Sequence, residues 1–169
     1  MIDFPIWNLV AETRILEPIK EYSLGQVRVL IFDDYKDSQY VAVEPHLGPE
    51  ARLAYSKAYS HMKKSHDFEQ KEDDIHVLES ELTDNFEDAA KTVRVYDMVQ
   101  KNYDAIMYYL IRDSLGHGII DVLMRDPDIE DISISGTNVP VGVVHRKFKT
   151  NRLLETNIVF PDHITYDSY

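Results

Sequence analysis

The sequence predicts an α+β fold: an N-terminal β-hairpin and helix, a helical segment, then a small antiparallel sheet with flanking helices. Three observations carry that expectation. Two short β-branched, aromatic runs, VRVLIFD (27–33) and QYVAVE (39–44), flank a polar linker. Apolar residues recur at helical spacing from 50 to 64 and from 88 to 115. Alternating segments then follow a turn rich in Asp, Pro and Gly.

The first twenty residues mix apolar side chains with Pro5 and Pro18 and read as a short helix or packed arm. Asp34 to Ser38 closes the first hairpin, and Pro45 and Pro49 end that region. Leu53, Ala54, Ala58 and Met62 place a helix over about Glu50 to Lys64. Asp67 to Asp88 holds ten carboxylates and one base, Lys71, and reads as an exposed helix face or linker. A second helical stretch follows, broken near Asn102, with Gly116 and Gly118 at its end. Ile119 to Arg125 forms short turns that stop at Asp126-Pro127, because proline disfavours helix in the residue before it. Strands are expected at Ile129 to Ser135, Val139 to Phe148 and Glu155 to Phe160, with Gly136-Thr137-Asn138 as a turn. The expected divisions are 1–66, an acidic 67–88, and 89–169.

Composition bounds the function. The chain has 169 residues and a formal charge of -12. Nucleic-acid binding needs a broad basic surface, so it is not expected. There are no cysteines, hence no disulfide, thiolate zinc site or cysteine nucleophile. No apolar run approaches the ~18 residues of a membrane span. MIDFPIWNLV lacks the basic start of a secretory signal, so a cytoplasmic protein without a transmembrane segment is expected.

The candidate chemistry is sparse. No G-x-x-x-x-G-K-[ST] loop occurs: Val143 and Val144 follow Gly142 where a lysine and a hydroxyl are needed. His117 and Asp121 are four apart, and His61 and His66 five apart, but neither pair supplies the three or four ligands of a zinc site. Ser133 and Ser135 share a strand face without the turn that would expose a nucleophile. Asp126, Asp128, Glu130 and Asp131 crowd together without EF-hand spacing, and turn chemistry explains them more simply. Arg146, Lys147, Lys149 and Arg152, beside His145, form the basic cluster of an acidic chain. They are read either as a solvated strand end or as an anion contact, since arginine offers phosphate a planar donor fork. Arg112 and Arg125 add to that cluster only if the fold brings them near.

The string GHGIIDVLMRDPDIEDISISGTNVPVGVVHRKF, followed by TNIVF, resembles the archaeal branch of the type II/type IV secretion ATPases. These motors drive secretion, type IV pili and the archaellum. The resemblance is densest from about Tyr108 to Phe160 and looser over Tyr22 to Pro45. In such proteins an N-terminal domain precedes a RecA-like core that carries the Walker loops. None of those core motifs is present here, so the resemblance implies an N-terminal portion alone, without activity of its own. For the full protein it implies a hexameric ATPase using ATP and Mg, in which this domain closes over ATP held by the C-terminal core. The implied partners are that core, neighbouring subunits and a membrane platform protein, and the implied place is the cytoplasmic face of the cell membrane. Related motors contact nucleotide phosphates through an R-x-R-I-D-G pattern. The comparable strand end here reads Val144-His145-Arg146-Lys147-Phe148, without the Asp-Gly step. The resemblance assigns the cofactor contact to Arg146, with Lys147 second. A second expectation is a docking module, in which residues 1–64 and the acidic stretch bind a membrane platform or regulatory protein.

Overall fold

The computed structural model describes residues 17–34, 37–65, 74–148 and 153–160. Among the described residues, five α-helices and six strands make up an α+β fold. The described residues fall into two compact units. One holds those up to Pro45 and from Ile119 onward; the other is His46–Gly118. The expected divisions at 66/67 and 88/89 group the chain differently, because the early hairpin and the late strands share one sheet.

That sheet has the order β1-β2-β3-β6-β5-β4. Strand β1 is Lys20–Leu24, β2 Val27–Asp34 and β3 Asp37–Val43; β4 is Ile129–Ser133, β5 Pro140–His145 and β6 Leu154–Val159. All neighbours are antiparallel except β3 and β6, which run parallel. The parallel join is short, pairing only Gln39 with Glu155 and Tyr40 with Thr156. Asn157 extends it: its Oδ1 accepts from the Ala42 N–H at 2.9 Å and its Nδ2 donates to the Ala42 carbonyl at 2.8 Å. One side chain thus satisfies both backbone groups where the ladder ends.

Strand β1 was not expected. Gly25, at φ 59, starts the tight turn that folds it onto β2, a conformation glycine adopts at little cost. Strand β2 is apolar on both faces. Val27, Val29 and Ile31 lie at 2%, 0% and 0% exposure, and Leu30 and Phe32 form a cluster with Val41 and Val43 on the other side. The register sets Tyr22 opposite Val29 and Tyr40 opposite Ile31, so both tyrosines share the Val29 face.

In β5, Gly142 has a packing role. A Cβ there would sit 3.0 Å from Leu153 Cδ1 and 3.2 Å from Leu153 Cβ. The strands β4 and β5 end sooner than expected, at Ser133 and His145. Helix α5, Asp121–Arg125, follows a 3-10 turn at Gly118–Ile120 and stops at Asp126.

The other unit contains α1 (Pro49–Ser65), α2 (Ile75–Thr92), α3 (Tyr96–Lys101) and α4 (Tyr103–Ser114). Pro49 opens α1, where a missing N–H costs nothing. Ala51, Ala54, Tyr55, Ala58, Tyr59 and Met62 form its buried stripe. Leu53, expected in that stripe, is 57% exposed. Tyr55 stacks on Tyr59 with ring centres 5.4 Å apart and meets Phe86 of α2 at 5.6 Å. Asp74 caps α2 by accepting from the His76 N–H at 2.9 Å. The acidic stretch is therefore helical from Ile75 onward, and residues 66–73 lie outside the described set. The helical stretch expected from 88 breaks at Asn102 as read from the sequence, and also at Arg94, φ 62, so that its first turn belongs to the end of α2.

Candidate functional site

The segment Asp126 to Glu130 and the end of β5 meet in one polar constellation. Proline at 127 stops α5, and the Asp126 side chain turns the chain by accepting from the Asp128 N–H at 2.9 Å. The Asp128 carbonyl accepts from Arg146 N at 2.7 Å, which ties that turn to the strand end. Strand β4 then bulges: Ile129 pairs with His145 but Asp131 with Val144, so Glu130 is the extra residue.

Asp126 is 3% exposed. Its Oδ2 accepts from Tyr22 Oη at 2.5 Å and from Tyr40 Oη at 3.0 Å. The tyrosines reach it from β1 and β3, two strands that flank β2. Burial, reinforced for Tyr22 by Asp126, raises both phenol pKa values, so both stay protonated donors.

His145 is 2% exposed. Its Nδ1 accepts from the Lys147 N–H at 3.2 Å, which assigns the ring proton to Nε2. Nε2 faces the Tyr22 oxygen at 3.3 Å. A directed chain results: His145 donates to Tyr22, and Tyr22 donates to Asp126. Phe148 packs on the imidazole with centroids 4.9 Å apart. Burial lowers the pKa of His145, with Asp126 and Asp128 opposing and Lys147 assisting.

The two cations predicted from the sequence sit at this end. Arg146 and Lys147 keep 60% and 66% of their side chains exposed, and both are paired. Lys147 Nζ donates to Asp128 Oδ2 at 2.6 Å and Arg146 Nε to Glu130 Oε1 at 3.3 Å. The Lys147 ammonium holds the Asp128 carboxyl below its usual range. Lys149 and Arg152 lie outside the described residues. Arg112 and Arg125 do not add free charge: Arg112 pairs with Asp113 at 2.7 Å and lies over the Tyr109 ring, while Arg125 pairs with Asp121.

Ligand-type atoms of Asp126, Asp128 and His145 lie within 4.8 Å of one another. The carboxylates already accept from two phenols, a backbone N–H and the Lys147 ammonium, so the geometry is that of a hydrogen-bonded network. Of the acidic group weighed in the sequence, Asp126 and Asp128 join this network and Glu130 pairs with Arg146, while Asp131 Oδ1 accepts from its neighbour's N–H. Ser133 is half-buried on β4. His117 is an exposed residue after α4, and His61 lies on α1. Sequence reasoning missed Tyr22, Tyr40 and the role of Asp126. The signal for Tyr22 was available in the alternation of KEYSL before Gly25.

Among the described residues, no helix is long and apolar enough to cross a membrane. No protein-family model matches the chain. The uncharacterized protein MJ1288 of Methanocaldococcus jannaschii is 30% identical over 169 residues, covering 96% of this chain and 64% of that protein. The chain therefore spans less than two thirds of the length of that relative.

Proposed function

We propose that this chain is a phosphate-facing domain of a secretion or pilus-type ATPase, closing over ATP that is held elsewhere. The observation that carries the reading is the end of β5. Arg146 and Lys147 project two exposed cations from a strand end fixed by Asp126, Asp128 and His145. A strand end tied by hydrogen bonds and carrying long, exposed cationic side chains suits a group that must meet a phosphate in one fixed closure geometry. The resemblance of residues 108–160 to the secretion ATPases supports the same reading. The chain has no Lys-Ser/Thr phosphate loop, so the cradle for the β- and γ-phosphates and Mg comes from outside these 169 residues. Hexamer formation, transmission of movement to a membrane platform and a place at the cytoplasmic face belong to this proposal.

Replacing Arg146 by Ala in the full-length protein tests it. The expected outcome is ATP turnover reduced by roughly a hundred- to a thousandfold with an unchanged unfolding transition, since one charge-stabilising donor contributes on that order. Unchanged turnover at saturating ATP contradicts the assignment of Arg146.

A docking role is the second reading, supported by the exposed Ile75 and Val77 at the start of α2 and the acidic residues that follow. Binding to a basic peptide that persists at low salt and is lost at high salt is its expected mark; no binding at low salt contradicts it.

A further inference from the structure

We propose that Asp128 and Glu130 are built-in counter-anions for the Arg146–Lys147 end of β5, which an incoming polyphosphate must displace. This rests on the reading of that strand end as phosphate-facing.

Both pairs bridge the same two segments. Lys147 Nζ meets Asp128 Oδ2 at 2.6 Å, and Arg146 Nε meets Glu130 Oε1 at 3.3 Å. Two positive and two negative heads therefore neutralise one another locally. The carboxylates are placed there by backbone features. Asp128 is held at both ends, its N–H on Asp126 Oδ1 and its carbonyl on Arg146 N. Glu130 is the bulged residue of β4, and a bulge re-aims a side chain that regular pairing would turn elsewhere. Asp128, like any aspartate, is ionised at neutral pH, and the 2.6 Å contact with the Lys147 ammonium, which lowers its pKa further, is a charge-assisted bond.

The cations are the movable partners. Lysine and arginine carry long flexible stems, and both heads remain more than half exposed. Asp128 is only 20% exposed and fixed through its backbone. A polyphosphate reaching this end exchanges one anion for another: Lys147 leaves Asp128 and Arg146 leaves Glu130. The exchange weakens binding of any anion that merely drifts past. It favours one delivered with several phosphate oxygens at once, as a bound nucleotide presents them during closure.

Titration calorimetry of inorganic tripolyphosphate into the 169-residue chain tests this. Asp128→Asn is expected to tighten binding about fivefold and Glu130→Gln about threefold, within the range spanned by exposed ion pairs. Asp131→Asn changes net charge equally without touching either cation and is expected to tighten binding less than about twofold. The Asp128→Asn gain is expected to vanish when Lys147→Ala is added. An equal gain from Asp131→Asn, no gain from Asp128→Asn, or a gain that survives Lys147→Ala overturns the proposal. Tightening by Asp128→Asn alongside unchanged ATP turnover in the full-length Arg146→Ala protein leaves the counter-anions standing and removes the nucleotide reading. The reverse pattern removes the counter-anions alone.

Discussion

Tyr40 Oη lies 3.0 Å from Asp126 Oδ2 across 86 positions of sequence, on the oxygen that Tyr22 also reaches. The convergence follows from register, since β1 and β3 both place a tyrosine on the Val29 face of β2. A buried carboxylate that loses a donor keeps its desolvation cost. Tyr40→Phe is expected to lower the unfolding free energy by about 1–3 kcal/mol in urea, and Tyr22→Phe by a smaller amount within that range. The two substitutions share one acceptor, so the double variant is expected to deviate from additivity by at least ~0.5 kcal/mol. Strict additivity would show that the phenols do not share Asp126.

The burial of His145 gives stability a pH dependence whose sign follows from the lowered pKa of its imidazole. Tyr22, Asp126, Asp128 and Lys147 face it, and burial holds its pKa below the ordinary 6.5. As pH falls below about 6.5 the unfolded chain takes the proton first, so stability present above that value drains as pH falls through the native value. Urea midpoints between pH 7 and 5 are expected to decline in the parent and to flatten in His145→Gln. Asp128 contributes with the same sign only at lower pH, beneath the usual carboxylate value of 3.8.

Gly142→Ala puts a methyl group 3.0 Å from Leu153 Cδ1 and 3.2 Å from its Cβ. The second contact cannot be relieved by rotating the leucine tip, so a loss of about 1–3 kcal/mol is expected by thermal unfolding. Leu153→Ala in the same chain is expected to recover only part of it, because the Cβ remains.

Asn157→Asp removes the N–H donor to the Ala42 carbonyl and sets a second negative oxygen against it. The expected cost is about 1–3 kcal/mol, with faster amide exchange at Ala42, whose N–H bonds to the same side chain.

Much of the fold was legible because its signals are local. The β2–β3 hairpin, Pro49 at the start of α1, the break near Asn102 and the stop at Asp126-Pro127 each depend on neighbouring residues. What was hidden depends on long-range pairing. Nothing in QYVAVE or ETNIVF states that β3 and β6 run side by side, and so the single sheet could not be read. Leu53 fitted a helical spacing but faces outward, since spacing alone does not say which stripe is covered. In the candidate site, Arg146 and Lys147 were visible as charges in an acidic chain, while their pairing with Glu130 and Asp128 needs the bulge in β4. Asp126 read as a turn former, and it is one; its two phenol donors come from strands about a hundred residues away.

The most direct measurement of the central claim is chemical. An acyl-phosphate derivative of ATP acylates lysines that lie against the nucleotide phosphates. Applied to the full-length protein in an extract of its source cells, it is expected to label Lys147, with excess ATP and Mg suppressing the label. Labelling of Lys147 that excess ATP leaves unchanged, or ATP-protected labelling elsewhere with none at Lys147, contradicts the claim that this strand end faces nucleotide.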